Sequence, residues 1–307
     1  MNDLKDKARG SFLGLAVGDA LGTTLEFKTP NTFNPITDMV GGGPFRLNAG
    51  EWTDDTSMAL CVAASLIELE KFDLLDHLKR FIRWYYEGYM SHNGKCFDIG
   101  NTVSAALQNF KKTGNKYSGS LSPNSAGNGS IMRLTPVVLF YSYNAIEAME
   151  MAGESSKSTH ATLECVDACR FMAGIIFGAL HGVGKQELTE ELYAPIRNYW
   201  KHNKLAPNIE KIAMGSYKKL SPPEIAGTGY VVDSLEAALW AFHNSNTFSE
   251  GALMAANLGE DADTTAAVYG QIAGAFYGEK GIKKHWLDKL VWAEMIGNFA
   301  EKLILKK

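Results

Sequence analysis

Glycine recurs every fourth residue at Gly10, Gly14 and Gly18, with Gly22 next in step, inside a stretch from Lys5 to Leu21 that carries helical apolar spacing. Each glycine in a helix costs up to about 1 kcal/mol relative to alanine, so a row of them needs a compensating gain. Residues four apart share one helix face, and a face without side chains lets another backbone come close. The membrane version of this packing is excluded by Asp19 and by the length of the apolar run. The spacing predicts a central, tightly packed helix.

The same 3.6-residue period recurs through the chain, whereas period-2 runs bounded by turns are almost missing. Helices are expected over 56–71, 76–89, 101–110, 134–141, 145–155, 162–180, 232–243, 248–258, 264–277 and 288–305. The stretch from Thr29 to Gly50, with three prolines and Gly41-Gly42-Gly43, reads as a loop longer than structureless connections usually are, hence functional or mobile. Residues 117–129 form a second, Ser/Gly/Asn-rich loop. The polar, proline-bearing stretch 184–229 is where a small subdomain or lid is expected. The fold class is all-α: a compact helical bundle forming one domain over residues 1–307.

With 46% hydrophobic and 21% charged residues, the chain has the composition of a folded globule. Its formal charge of −4 gives no reason to expect nucleic acid. The paired lysines at 111–112, 218–219, 283–284 and 306–307 are short and isolated, as on a solvated surface. Four cysteines make no disulfide framework. Cys165 and Cys169 are spaced to share a helix face, but without a second close pair they read as buried thiols in a reducing compartment rather than a zinc site. The N-terminal segment carries acidic residues and no apolar run before Phe12, unlike a secretory signal, and no stretch reaches the ~20 apolar residues of a membrane span. These features predict a cytoplasmic protein without a membrane partner.

Chemistry concentrates in two short segments. Glu51-Trp52-Thr53-Asp54-Asp55-Thr56 opens one helix, and Gly259-Glu260-Asp261-Ala262-Asp263-Thr264-Thr265 opens another. Each segment alone reads equally as a helix cap, since Asp and Thr accept from free amides and suit the helix dipole. Capping accounts for one acid per helix, not for two or three. Both segments share a grammar of Asp, Asp and Thr, whose oxygens suit hard cations. If the two ends of the chain pack together, four carboxylates converge, and two divalent cations roughly 3.5–4 Å apart would neutralise them. The Asp-Asp-x-x-Asp motif of diphosphate-binding helical enzymes fits poorly, because Met58 stands at its last position.

Other residues stand out by setting. Glu26 closes the segment after Gly22. Asp98 precedes Gly100-Asn101-Thr102 and could cap the next helix. Gly127-Asn128-Gly129-Ser130-Ile131-Met132-Arg133 offers main-chain amides with little side-chain bulk, as a phosphate cradle or a plain turn would. His160 is a lone histidine.

With these segments assembled, the sequence resembles the ADP-ribosylglycohydrolase family over nearly its whole length. The resemblance rests on 14–22 with Glu26, Trp52–Thr56, Asp98–Thr102, Gly127–Arg133, Thr159-His160, Gly229-Tyr230-Val231-Val232 and Gly259–Thr265. It implies an all-α fold with a dinuclear site of Mg²⁺ or Mn²⁺ in a central cleft, and hydrolysis of the bond between ribose C1″ and an acceptor. The implied metal ligands are Thr53, Asp54, Asp55, Asp261, Asp263 and Thr264. Asp98 would contact the ribose or act as base, with Asp55 second in line as base. Gly100, Asn101 and Thr102 would line the pocket, and Asn128, Gly129, Ser130 and Met132 would hold the diphosphate. His160 and Tyr230 would meet the distal part of ADP-ribose, and Glu26 would stand at the entrance. Glu260 departs from the glycine many members carry there; a change confined to the surroundings of the ligands is expected.

The implied substrate is an ADP-ribosylated protein, arginine first, or a small-molecule ADP-ribose conjugate. Two alternatives stay open: a two-metal nucleotide phosphohydrolase, and a non-catalytic ADP-ribose-binding protein of the same fold.

Overall fold

The computed structural model describes residues 2–305. Among them the α-helices are α1 Asn2–Gly22, α2 Asp54–Leu69, α3 Leu74–Glu87, α4 Asn101–Thr113, α5 Thr135–Phe140, α6 Ala145–Ser156 and α7 Leu163–Leu180. Three short helices follow, α8 Lys185–Leu188, α9 Tyr199–His202 and α10 Pro207–Ala213, then α11 Val231–Asn244, α12 Phe248–Ala256, α13 Ala262–Tyr277, α14 Lys284–Lys289 and α15 Ala293–Ile304. Strand pairing among the described residues is limited to isolated bridges, one of them between Gly127 and Tyr230. No described helix is long and apolar enough to cross a membrane.

The glycine ridge of α1 meets α13. A Cβ added at Gly10, Gly14, Gly18 or Gly22 would overlap the carbonyl oxygen of Gly274, Gly270, Ala266 or Ala262 respectively, and Gly270 and Gly274 face Gly14 and Gly10 in return. The two helices therefore run antiparallel with backbones touching. Close approach of two buried helices recovers dispersion contacts along both, which offsets the helix-propensity cost of the glycines. A buried hydrogen bond joins the pair, Ser11 donating to the Gln271 main-chain carbonyl at 2.9 Å, and the Gln271 side-chain amide ties α13 to α5 by accepting from the Thr135 N–H at 2.8 Å. This antiparallel register sets the C-terminal end of α1 beside the N-terminal end of α13, where the acids lie.

The structure differs from the sequence expectation in three places. Helices α2 and α13 begin two residues earlier, so Asp54, Asp55 and Asp263 lie in first turns. The expected 288–305 helix is broken between α14 and α15, with Trp292 at φ 62°. The break is used: the Val291 N–H donates to the Gly50 carbonyl at 2.9 Å, and the Val291 carbonyl accepts from the Trp52 indole at 2.9 Å. Those bonds fix the chain just before α2. Finally, 184–229 is no separate subdomain. Leu188, Trp200, Ile209, Ile212 and Ile225 are buried in the main core, so burial of apolar anchors outweighs the polar character of the stretch.

Candidate active site

The two acidic helix mouths, two hundred residues apart in sequence, meet at the shared end of α1, α2 and α13. The Thr53 hydroxyl lies 3.3 Å from Asp263 Oδ2, and the Thr264 hydroxyl lies 3.3 Å from Asp55 Oδ2, so each mouth reaches a carboxylate of the other. The N-cap residues Thr53 and Asp261 make no side-chain capping bond, although Asp263 accepts the first-turn N–H of Thr264 at 2.8 Å. Asp98 is no cap either, since Gly100 holds that position in α4.

Beneath them sits Asp19, a residue that belongs to the 14–22 motif but was given no role at the site. Its Oδ1 accepts from the Thr53 N–H at 2.8 Å, and its Oδ2 accepts from the Thr56 N–H at 3.0 Å and the Thr56 hydroxyl at 2.7 Å. Asp19 thus satisfies free amides at the mouth of α2 in place of a local cap, leaving Asp54 and Asp55 for other work. An acid in the otherwise glycine and apolar run 12–22 was the available signal.

A cleft of about 460 Å³ opens over this end of the bundle. Glu26, Asp54, Asp98, Asp261, Asp263 and Thr264 line it, with Gly100, Asn101, Thr102, Asn128, Gly129, Met132 and His160. Thr53 and Asp55 lie below its surface, fully buried. Carboxylate oxygens of Glu26, Asp98 and Asp263 lie within 4.8 Å of one another, which draws the entrance and base candidates into one group with a proposed ligand. Two expected residues stand apart. The Ser130 hydroxyl accepts from Ser156 at 2.9 Å, turned into the protein. Tyr230 borders an adjacent groove, its hydroxyl donating to Glu164 at 2.8 Å.

The glycine-rich loop is held from behind. Arg133, fully buried, donates to the Gly129 carbonyl and to the Thr159 hydroxyl, the latter at 2.6 Å. The Gln271 amide donates to the Ile131 and Met132 carbonyls at 3.0 and 2.9 Å. Asn128 reaches forward, donating to Asp261 Oδ2 at 2.7 Å. Gly127 is met from behind by Cys165, whose thiol lies 3.3 Å from its carbonyl, and Cys169 contacts Ser130; all four cysteines are free. The His160 ring packs beside Gly127 and Gly129, and burial depresses it to about 3, so it is a neutral imidazole.

Burial, reinforced by neighbouring carboxylates, pushes Asp54, Asp55 and Asp263 well above the usual carboxylate range, and burial followed by the charge of Asp98 does the same to Glu26. Such a group cannot carry full charge in a buried setting without a counter-ion. Buried Asp55 Oδ1 and Glu26 Oε2 have no hydrogen-bond partner. Oxygen donors with unmet acceptor capacity fit a hard divalent cation.

A sequence model of ADP-ribosylglycohydrolases matches residues 1–307. The chain belongs to the ADP-ribosylglycohydrolase family. It is 46% identical to the ADP-ribosylarginine hydrolase of Pseudomonas putida (strain GB-1), across 97% of this chain and 78% of that one. It is 31% identical to the ADP-ribosyl-dinitrogen reductase glycohydrolase of Rhodospirillum rubrum, across 93% and 90%. A solved structure described as an ADP-ribosylglycohydrolase-related protein complex superimposes with a TM-score of 0.88 at 38% identity, covering 100% of this chain and 99% of that one. Membership makes this glycohydrolase a hydrolase of the ADP-ribose glycosidic bond. It also bears on Glu260, whose φ of 54° is a left-handed conformation where glycine is at ease.

Proposed function

We propose that the protein hydrolyses the N-glycosidic bond between ribose C1″ of ADP-ribose and the guanidinium of a modified arginine, on a protein or a small conjugate. The observation that carries this is the charge of the cleft. Its ionisable lining is acidic apart from neutral His160, and no lysine or arginine borders it. A cationic leaving group suits Glu26 and Asp98, the two carboxylates of that lining outside the proposed ligand set. Similarity to ADP-ribosylarginine hydrolases supports the same acceptor.

Thr53, Asp54, Asp55, Asp261, Asp263 and Thr264 would hold two divalent cations, Mg²⁺ or Mn²⁺. Bound there, they would supply electrostatic stabilisation and a polarised water. Asp98 is favoured over Asp55 as the base because it borders the cleft, while Asp55 lies beneath. Asp98 takes a proton from the attacking water as its oxygen bonds to C1″. The C1″–N bond breaks and the guanidinium departs as neutral guanidine, which then receives that proton. Glu26 and Asp98 face the positive charge that builds on the sugar. The main-chain amides of Gly129 and Ser130, which the loop's own backbone bonds leave over, orient the diphosphate. The free, mostly buried thiols support a reducing, cytoplasmic setting.

The test is a panel of conjugates linked through arginine, serine and a nucleobase, assayed with Mg²⁺ and with Mn²⁺. Release of ADP-ribose chiefly from the arginine conjugate is expected. Preference for another linkage would refute the acceptor assignment.

A further inference from the structure

Phe27 is a large apolar residue left 68% exposed at the rim of the cleft, directly after Glu26. Its φ of 59° is a left-handed conformation that a bulky side chain rarely adopts. The conformation is imposed. The Phe27 N–H donates to the Glu260 carbonyl at 2.6 Å, and the Glu260 N–H donates to the Lys28 carbonyl at 2.8 Å. This pair of bonds bolts the segment after Glu26 to the segment before Asp261. Strain, exposure and rigid mounting fall together on one ring that borders the reaction cleft, the pattern expected where function outweighs stability.

The position of the ring indicates what it meets. Two grooves adjoin the cleft, one sharing Asn101 and Thr102 with it, the other Thr102, Gly127 and Gly229. Those grooves offer room for the extended part of ADP-ribose. Neither Glu26 nor Phe27 borders them; Phe27 follows Glu26 in the chain and shares the cleft wall with Glu26 and Asp98. An aromatic face next to two carboxylates is a receptor for a planar cation.

We infer that Phe27 is a specificity-determining residue whose ring stacks on the acceptor guanidinium at the cleft rim, Glu26 and Asp98 supplying the complementary charge. The inference rests on the arginine reading of the site and adds to it the group that recognises the leaving side.

The experiment uses the full-length, Mg²⁺-loaded protein with a small ADP-ribosyl-arginine conjugate, and measures free ADP-ribose affinity by calorimetry alongside. F27A and F27L should each raise KM by roughly 2- to 5-fold, the range of an exposed cation–π contact, with kcat changed less than KM. F27W should stay within about twofold of wild type, and ADP-ribose affinity should stay within about twofold in every variant. F27G relieves the left-handed strain, so its thermal midpoint should match or exceed wild type while its KM rises as in F27A. Unchanged KM in F27A, wild-type behaviour of F27L, or a parallel loss of ADP-ribose affinity would each overturn the role of Phe27 and leave the arginine assignment standing. A wild-type protein inactive on the arginine conjugate but active on another linkage would overturn both.

Discussion

Asp19 holds Thr56 by two bonds at once, accepting from its backbone N–H at 3.0 Å and from its hydroxyl at 2.7 Å. Through this contact α1 fixes the mouth of α2, and the site acids Asp54 and Asp55 inherit their direction from a residue outside the cleft. Groups that orient metal ligands typically alter affinity by about 10- to 100-fold when removed. Asp19→Asn should therefore weaken Mn²⁺ binding within that range in a metal titration, with helix content by circular dichroism unchanged. Metal affinity equal to wild type would show that Thr53 and Asp55 orient themselves.

Gly14 and Gly270 press backbone on backbone, so Gly14→Ala has no room for its methyl group. Helix propensity alone would predict a gain of about 1 kcal/mol. The expected outcome is a loss of about 3 kcal/mol or more in urea unfolding, because backbone cannot yield as a side chain does. A stabilised Gly14→Ala protein would mean that the two helices can part without cost.

The carboxylates of the site make the metal-free protein oppose its own fold. Asp54, Asp55 and Asp263 have raised pKa values when folded, so the folded state binds more protons than the unfolded one. Their contribution is fully present below the unfolded value near 4 and is lost as pH rises through the raised values. In EDTA at pH 7.5, Asp55→Asn should melt above wild type. Adding Mg²⁺ should raise the wild-type midpoint and leave the variant nearly unmoved. A variant that melts lower in EDTA and still gains fully from Mg²⁺ would remove Asp55 from the ligand set.

His77 carries a different pH signal. It is fully buried, neither ring nitrogen has a hydrogen-bond partner, and burial depresses it to about 3. With a folded pKa below the unfolded value, its neutral form is fully accommodated above pH 6.5. Stability is lost as pH falls below that, by up to about 1.4 kcal/mol per unit until pH 3. With metal bound, His77→Leu should lose less stability than wild type between pH 7 and pH 5 in urea titrations. Equal losses would show that His77 is protonated inside the fold.

Much of this was legible in the residues. The four-residue glycine period announced a backbone contact, although only the structure names α13 as the partner, because a smooth ridge does not encode which helix covers it. The repeated Asp, Asp, Thr grammar announced the site, since acids in excess of capping need are costly unless gathered for a purpose. The gathering of Glu26 with Asp98 and Asp263 was legible only through the family resemblance, as acids on two loops and one helix turn share no spacing. The break at Trp292 was hidden: 288–305 is helical by pattern, and tertiary bonds from Val291 to Gly50 and Trp52 override it. Ser130 shows the limit of a motif, which locates a loop without saying which way each hydroxyl turns.

The most direct test is mass spectrometry of the products from an ADP-ribosyl-arginine peptide incubated with the protein. Intact ADP-ribose and unmodified arginine are expected with Mg²⁺ or Mn²⁺ present, with no turnover in EDTA. Release of AMP with a phosphoribosyl remnant left on arginine, or undiminished turnover in EDTA, would contradict the account.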